Sequence, residues 1–275
     1  MAVVGHVEWV QFARVPHVPR AGEVVHAEDP FAEPAGGGAV AAVQLARLAG
    51  AATLVTCLGE DDNGARSRTR LAELGVDVRA SGVQSPTRSA VTLVDDAGER
   101  TITTFGQRLE PSGAGAYERW QGLEQIDGLY FTAGDEAELR IARAISHALV
   151  ASPRARKALA HGVVLDALVL SGNDEIELHA AEPVLEEAEL VVWTEGERGG
   201  HYRRRDGETG RWDAVRPPGQ AVDSYGCGDS FAAGFTYGLG AGMELADALA
   251  LGARCGAVCL TGHGPYQRQL TSRDL

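Results

Sequence analysis

Asp223-Ser224-Tyr225-Gly226-Cys227-Gly228-Asp229 runs directly into Ser230-Phe231-Ala232-Ala233-Gly234-Phe235. Two glycines and a carboxylate stand where a polar loop turns into an apolar helix. The first backbone N–H groups of a helix have no partner within it, and the helix dipole adds partial positive charge there. Glycines let a ligand approach that backbone closely and permit positive φ. The combination makes an anion site, and phosphate is the commonest biological anion bound in this way. Asp229 is the odd member, because a carboxylate repels a phosphate. Taking the proton from an attacking hydroxyl would give it a reason to stand there. Asp is also a good helix N-cap, so the heptad reads equally as a turn that ends in a cap.

Other clusters carry similar double readings. Gly36-Gly37-Gly38 opens a helical pattern and could bring backbone against a small polar ligand, or serve as a flexible entry loop. Thr194-Glu195-Gly196-Glu197-Arg198-Gly199-Gly200 follows a strand-like run and could hold a nucleotide edge or make a turn. Asn173-Asp174-Glu175 lies just past a strand end, where clustered oxygens suit hydrated Mg²⁺, although acidic residues also begin helices. Gly59-Glu60-Asp61-Asp62-Asn63-Gly64 resembles a further acidic loop but reads best as the cap of the helix that follows.

Several chemistries lack their residues. Lys157 is the only lysine and sits in Arg156-Lys157-Ala158, with no P-loop around it. The β3 lysine of a protein kinase is therefore also missing. There is no Gly-x-Ser-x-Gly elbow, no His or Cys pair at metal-ligand spacing, and no Gly-x-Gly-x-x-Gly in the place a dinucleotide fold needs it.

The elements that must position these residues alternate. Ala2-Val3-Val4 reads as a short buried strand, and Gly36 to about Ala49 as a helix with Val40, Val43, Leu45 and Leu48 on one apolar side. Ala52–Cys57 is a strand, Ala65–Leu74 a helix, Leu129–Thr132 a strand and Glu136–Leu149 a helix. Strands near Ala148–Ala151, Ala167–Leu170 and Leu190–Thr194 follow, and two helices, about 229–240 and 243–260, close the chain. Such alternation predicts an α/β fold with a mostly parallel sheet covered on both faces. The proline-rich segment 8–33 and a hairpin across Asp95-Asp96-Ala97-Gly98 do not fit it and predict a small β appendage.

The 275 residues suit one large α/β domain, and 44% hydrophobic with 23% charged residues is enough for a sizeable core. A net charge of -13 argues against a nucleic-acid partner. No apolar run reaches roughly 18 residues, so neither a membrane span nor a signal segment is expected, and the reading is cytoplasmic. The four cysteines (Cys57, Cys227, Cys255 and Cys259) form no CxxC pair.

These stretches resemble the ribokinase-like (PfkB) carbohydrate kinases, in that family's order and over nearly the whole chain. Asp223 to Asp229 is similar to its signature Asp-Thr-x-Gly-Ala-Gly-Asp; Ala35 to Ala39 and the helix through Leu48 resemble its Gly-Gly signature; Thr194-x-Gly196-x-x-Gly199 is similar to its nucleotide loop. The resemblance implies a three-layer fold, with a β lid from about 8–33 and 87–108 on a single domain of residues 1–275. It implies ATP-dependent phosphorylation of a sugar or similar hydroxyl compound, with Mg²⁺. Asp229 would then be the base, and the N–H groups of Gly226, Cys227 and Gly228 the anion hole. Asp174 or Glu175 falls near the family's metal-associated Asn-x-x-Glu, with Ser171 where asparagine is expected. Asp223 and Ser224 lie where a potassium loop begins, and a lid-to-lid homodimer follows by analogy.

The departures lie at the substrate end. Glu8 is the carboxylate nearest the place of the family's sugar-gripping aspartate, and Val40 stands where an asparagine often does, beside Gly36, Gly37 and Gly38. A nucleoside kinase of the same fold, with Trp9 or Phe12 stacked on a base, and a silent ligand-binding relative are the other readings.

Overall fold

Ala2-Val3-Val4 is apolar on both faces of its pleat, which suits a strand with helices above and below. In the computed structural model, which describes residues 1–96 and 98–275, it takes that place. In chain order the elements are β1 (Ala2–Val4), β2 (Glu8–Arg14), β3 (Glu28–Ala35), α1 (Gly37–Ala49), β4 (Ala52–Gly59), α2 (Asp62–Glu73), β5 (Val76–Val83), β6 (Ser89–Val94) and β7 (Arg100–Phe105). Then follow α3 (Ala116–Trp120), β8 (Ile126–Phe131), α4 (Glu136–Ile145), β9 (Ser146–Ala151), α5 (Arg156–Leu159), β10 (Ala167–Ser171), α6 (Glu175–Ala181), β11 (Leu190–Thr194), β12 (Gly200–Arg204), β13 (Thr209–Trp212), α7 (Cys227–Gly240) and α8 (Leu245–Cys259).

Nine strands form one sheet in the order β13-β12-β11-β10-β9-β8-β1-β4-β5, parallel throughout except where β12 and β13 turn back at the edge. The alternation of side chains sorts the core into two layers. Val3, Leu54, Tyr130, Val150 and Val192 pack with α1, α7 and α8; Ala2, Val4, Val55, Leu129 and Leu149 pack with α3 to α6 on the other face. The second sheet, in the order β3-β2-β6-β7, is built from the proline-rich early segment and the hairpin. Ala97, in the hairpin turn, lies outside the described residues. No helix among the described residues is long and apolar enough to cross a membrane.

Several helix boundaries differ from the sequence reading. The helix expected over Glu136–Leu149 stops at Ile145, because Ser146 leaves helical geometry and the next six residues pair with β8 and β10. Arg143 helps by donating to the carbonyls of Ser146 and His147. The helix after the acidic loop starts at Asp62, with Asp61 accepting from the N–H of Gly64 at 2.8 Å, so that loop is a cap. The last two helices start at Cys227 and Leu245. Strands β5, β12 and β13 have no counterpart in the expected pattern.

Candidate active site

All the parallel strands end on one edge of the sheet, and in such folds ligands bind beyond that edge. Residues past four strand ends gather around Asp229, namely His6 after β1, Thr132 after β8, Arg154 after β9 and Glu177 after β10, and the Thr194–Gly199 loop follows β11 on the same edge. Helix α7 points its N-terminus at the same place.

Asp229 is not a cap. Gly226 caps α7, with φ 82 and no side-chain hydrogen bond, and Asp229 lies in the first turn. Among the described residues the N–H groups of Gly226 and Gly228 meet no backbone acceptor, and that of Cys227 meets only Ser224 O at 3.4 Å. The two glycines serve different ends. A methyl group on Gly226 would lie 3.0 Å from Val40 Cγ1 and 3.1 Å from Pro265 Cβ, while one on Gly228 would meet nothing within 4 Å. Cys227 turns its thiol to Cys259, itself 3.5 Å from Tyr225 O.

The Asp229 carboxylate lies over Gly37. A methyl there would be 3.0 Å from Asp229 Oδ1 and 3.3 Å from Thr132 Oγ1, a buried hydroxyl with no hydrogen-bond partner among the described residues. Burial pushes the Asp229 carboxyl above the usual aspartate range; the charge of Arg154 pulls against that, and Glu177 adds to it. On Gly36 a methyl would meet His6 Nε2 at 3.0 Å and Glu8 Cγ at 3.4 Å. Gly38 instead packs on the backbone of Gly5 and His6, which lets α1 lie close to β1. Val40 is fully buried beneath Gly226, so it supports the loop and presents no surface to the cleft.

Glu8 is buried, 3.4 Å from His6 Nε2 and 3.3 Å from Arg88 Nη1. Burial alone would raise its pKa; the His6 hydrogen bond and the charges of Arg88 and Arg108 outweigh it, and the carboxyl is held below its usual range. Burial lowers His6, which keeps the imidazole neutral near pH 7.

The metal candidates divide. Asp174 Oδ1 caps α6 through the N–H groups of Ile176 (2.9 Å) and Glu177 (3.2 Å), while Glu175 points to solvent. The carboxylate that reaches the cleft is Glu177, buried, accepting Arg154 Nε at 2.6 Å and the Ser171 N–H at 2.8 Å. The available signal was the spacing Asp174-x-x-Glu177, in which Glu177 fits the last place of Asn-x-x-Glu and Asp174 stands in the place of the asparagine. No group of three or more His, Cys, Asp or Glu among the described residues could hold a metal ion alone.

Asp223 spends both oxygens on backbone, Oδ1 on Tyr225 N (2.8 Å) and Oδ2 on Gly264 N (2.9 Å). Arg100 Nη1 donates to Ser224 O (3.0 Å) and Oγ (2.7 Å). Arg100 therefore lies against Ser224, one of the two residues where the potassium loop is expected to begin. In the nucleotide-loop candidate, Thr194 Oγ1 donates to Leu170 O at 3.3 Å, and Gly196 and Gly199 have φ of 63 and 75. A side chain on Gly199 would strike Trp212 O at 2.0 Å, so the turn into β12 requires glycine there.

Comparisons with known proteins agree with this geometry. The family model for pfkB family carbohydrate kinases matches residues 1–271. The fructoselysine 6-kinase of Escherichia coli (strain K12) is 28% identical over 225 residues, covering 77% of this chain and 84% of that protein. The ribokinase of Schizosaccharomyces pombe is 25% identical over 300 residues, covering 96% and 92%. The structure of ribokinase from Giardia lamblia matches with a TM-score of 0.80 at 17% identity, over 99% of this chain and 97% of that one.

Proposed function

The chain belongs to the pfkB family of carbohydrate kinases, and from that membership we propose a specific division of labour for its ATP-dependent phosphorylation of a sugar or sugar-like hydroxyl. Asp229 takes the proton of the acceptor hydroxyl, and the N–H groups of Gly226, Cys227 and Gly228 receive the transferred phosphoryl group. The new bond joins acceptor oxygen to phosphorus as the bond to the ADP leaving oxygen breaks. Little covalent work falls to the protein, so its contribution is position and charge. The observation that supports this reading is a carboxylate with a raised pKa, lying over Gly37, beside the N–H groups of Gly226 and Gly228 that meet no backbone acceptor, the second of them on exposed backbone.

Mg²⁺ would enter with the nucleotide and neutralise charge on its phosphates. Glu177 and Asp174 are the carboxylates that would face its water shell; Glu175 is turned away. Thr194, Gly196 and Gly199 border the nucleotide end, and Glu8, Gly36 and Gly37 the acceptor end. The small sheet acts as a lid that excludes water during transfer. A nucleoside acceptor finds little support: Phe12 is buried, stacked on Phe31 at 4.9 Å, and Trp9 lines a separate cavity with Arg66 and Thr69 of α2.

The test is ATP consumption against a panel of sugars, sugar acids and nucleosides, with Asp229→Asn alongside. Turnover of a sugar-like acceptor is expected, reduced about 10²–10⁴-fold in the variant. Undiminished turnover in Asp229→Asn would remove the base assignment, and activity confined to nucleosides would overturn the acceptor class.

A further inference from the structure

All four cysteines are free thiols. Cys255 fills core space with Leu48, Leu251 and Leu270. Cys227 and Cys259 stand elsewhere. Cys227 is the first residue of α7, half-buried in the loop read above as the anion site, and Cys259 is the last residue of α8, buried beneath that loop. Cys259 Sγ lies 3.5 Å from Tyr225 O and 3.9 Å from Pro265 O.

Helix packing sets these two cysteines opposite each other. α7 and α8 meet through small residues: a methyl on Gly238 would lie 2.8 Å from Ala248 Cα, and one on Gly234 3.2 Å from Gly252 Cα. The two pairs fix an antiparallel register. Cys227 stands seven residues before Gly234 and Cys259 seven after Gly252. That is about two helical turns, so both return to the contact face and meet there. The backbones are still close at this end, where a methyl on Gly256 would reach Cys227 O at 3.1 Å. A disulfide spans Cα atoms roughly 4.4–6.8 Å apart, a separation that glycine-lined packing supplies. The thiols also share a hydrogen bond, which pulls Cys259 below the ordinary thiol range and pushes Cys227 above it. The pair gives up one proton and retains the other.

We propose that Cys227 and Cys259 are a redox modification site, at which a hydroperoxide joins them in a reversible disulfide that withdraws the Cys227 N–H from the phosphoryl position. With hydrogen peroxide, the thiolate of the pair attacks a peroxide oxygen. The O–O bond breaks, hydroxide leaves, and the sulfur, oxidised by two electrons, becomes a sulfenic acid. The neighbouring thiol then attacks that sulfur; the S–S bond forms, and the hydroxyl leaves as water with the thiol's proton. Drawing the sulfurs from hydrogen-bond to covalent distance moves the first residue of α7 towards α8. Its N–H has only the 3.4 Å contact to Ser224 O to hold it in place. Bond formation depends on the thiols alone, and its effect on turnover rests on the kinase reading above.

The experiment treats the full chain with hydrogen peroxide, counts free thiols and maps disulfides by mass spectrometry. Two of the four thiols are expected to disappear together, in one cross-linked pair of peptides carrying Cys227 and Cys259, and to return with dithiothreitol. ATP turnover with a sugar acceptor should fall roughly tenfold or more on oxidation and recover on reduction. Cys259→Ser keeps a donor towards Tyr225 O, so its reduced turnover should stay within about twofold of wild type and resist peroxide. Four thiols that persist, a disulfide between other cysteines, or Cys227 driven to the sulfinic acid with Cys259 still free would each overturn the inference. So would peroxide inactivation of Cys259→Ser as fast as that of wild type. The map needs no variant, so a Cys259→Ser chain that failed to fold would leave the test standing. A mapped Cys227–Cys259 bond with unchanged turnover sinks the switch and spares the kinase reading. If no acceptor turns over, the kinase reading fails by itself, and the thiol count and peptide map still decide the bond.

Discussion

A base that works near neutral pH needs a pKa above that of a free aspartate, and Asp229 has one through burial, moderated chiefly by Arg154. Only its ionised form can accept a proton, so kcat falls as pH drops through that raised pKa. The acid limb of the pH–rate profile is therefore expected above the ordinary aspartate value of about 3.9. Arg154→Gln removes a charge that favours the ionised form and moves this limb to higher pH. A limb that stays put in the variant would show that Arg154 does not act on the base. Legibility at this scale followed local spacing. Asp229 stood out because its heptad puts two glycines and a carboxylate at a helix start, a pattern that reads as an anion site or as a capped turn. Glu177 did not, because helix geometry chose among three neighbouring acids: Asp174 became the cap, Glu175 faced solvent, and one turn turned Glu177 inward. His6, Arg108 and Arg154 were out of reach for another reason. They are brought together from the ends of β1, β7 and β9, and no spacing along the chain encodes that meeting.

At the scale of the element, two glycines of one motif answer to opposite demands. Gly226 needs left-handed backbone and has Val40 and Pro265 against it. Gly226→Ala is expected to lower unfolding free energy by about 1–3 kcal/mol, read by denaturant titration. Gly228 has no positive φ and open space beside it, so Gly228→Ala should fold within about 0.5 kcal/mol of the parent and, on the proposed anion site, still lose activity, because its methyl would project into that site. Equal stability losses in the two would contradict the assignment. The elements themselves were largely readable where pattern and pairing agree. β1, β4, β8, β10 and β11 are predominantly apolar, as buried parallel strands are, broken chiefly by Thr53 and Thr56 in β4 and Asp127 in β8. β5, by contrast, is Val-Asp-Val-Arg-Ala-Ser-Gly-Val, an edge strand held in place by pairing with β4 along its whole length. β9 has a helical continuation in sequence and a strand's partners in space, and the partners prevail.

The two sheets are joined unequally, and that asymmetry decides how the molecule can close. At the β2–β3 side the links are buried or doubled. Tyr266 donates to Pro34 O at 2.5 Å, the Gly36 N–H meets Tyr225 Oη at 3.3 Å, Phe12 packs edge-on to Tyr225, and Arg70 grips Glu33 through two bonds of 2.8 Å. At the start of β6 the link is buried too, Thr87 Oγ1 accepting the Gly59 N–H at 2.9 Å, whereas at β7 the small sheet meets the Asp223–Asp229 loop through Arg100 and the segment after β9 through Arg108, both in exposed hydrogen bonds of the kind worth little singly. Closure of the small sheet would then pivot on β2 and β3, with β7 as the moving edge. Hydrogen exchange tests this directly. Adding a non-hydrolysable ATP analogue with the acceptor should slow exchange of the amides of Arg100–Phe105 and leave those of Glu28–Ala35 nearly unchanged. Arg100→Ala should speed exchange in the free protein at β7 while altering global stability by less than about 1 kcal/mol. Equal protection of β3 and β7 would mean that the sheet moves as a whole or not at all. In that case water exclusion at Asp229 would have to come from the acceptor itself filling the cleft.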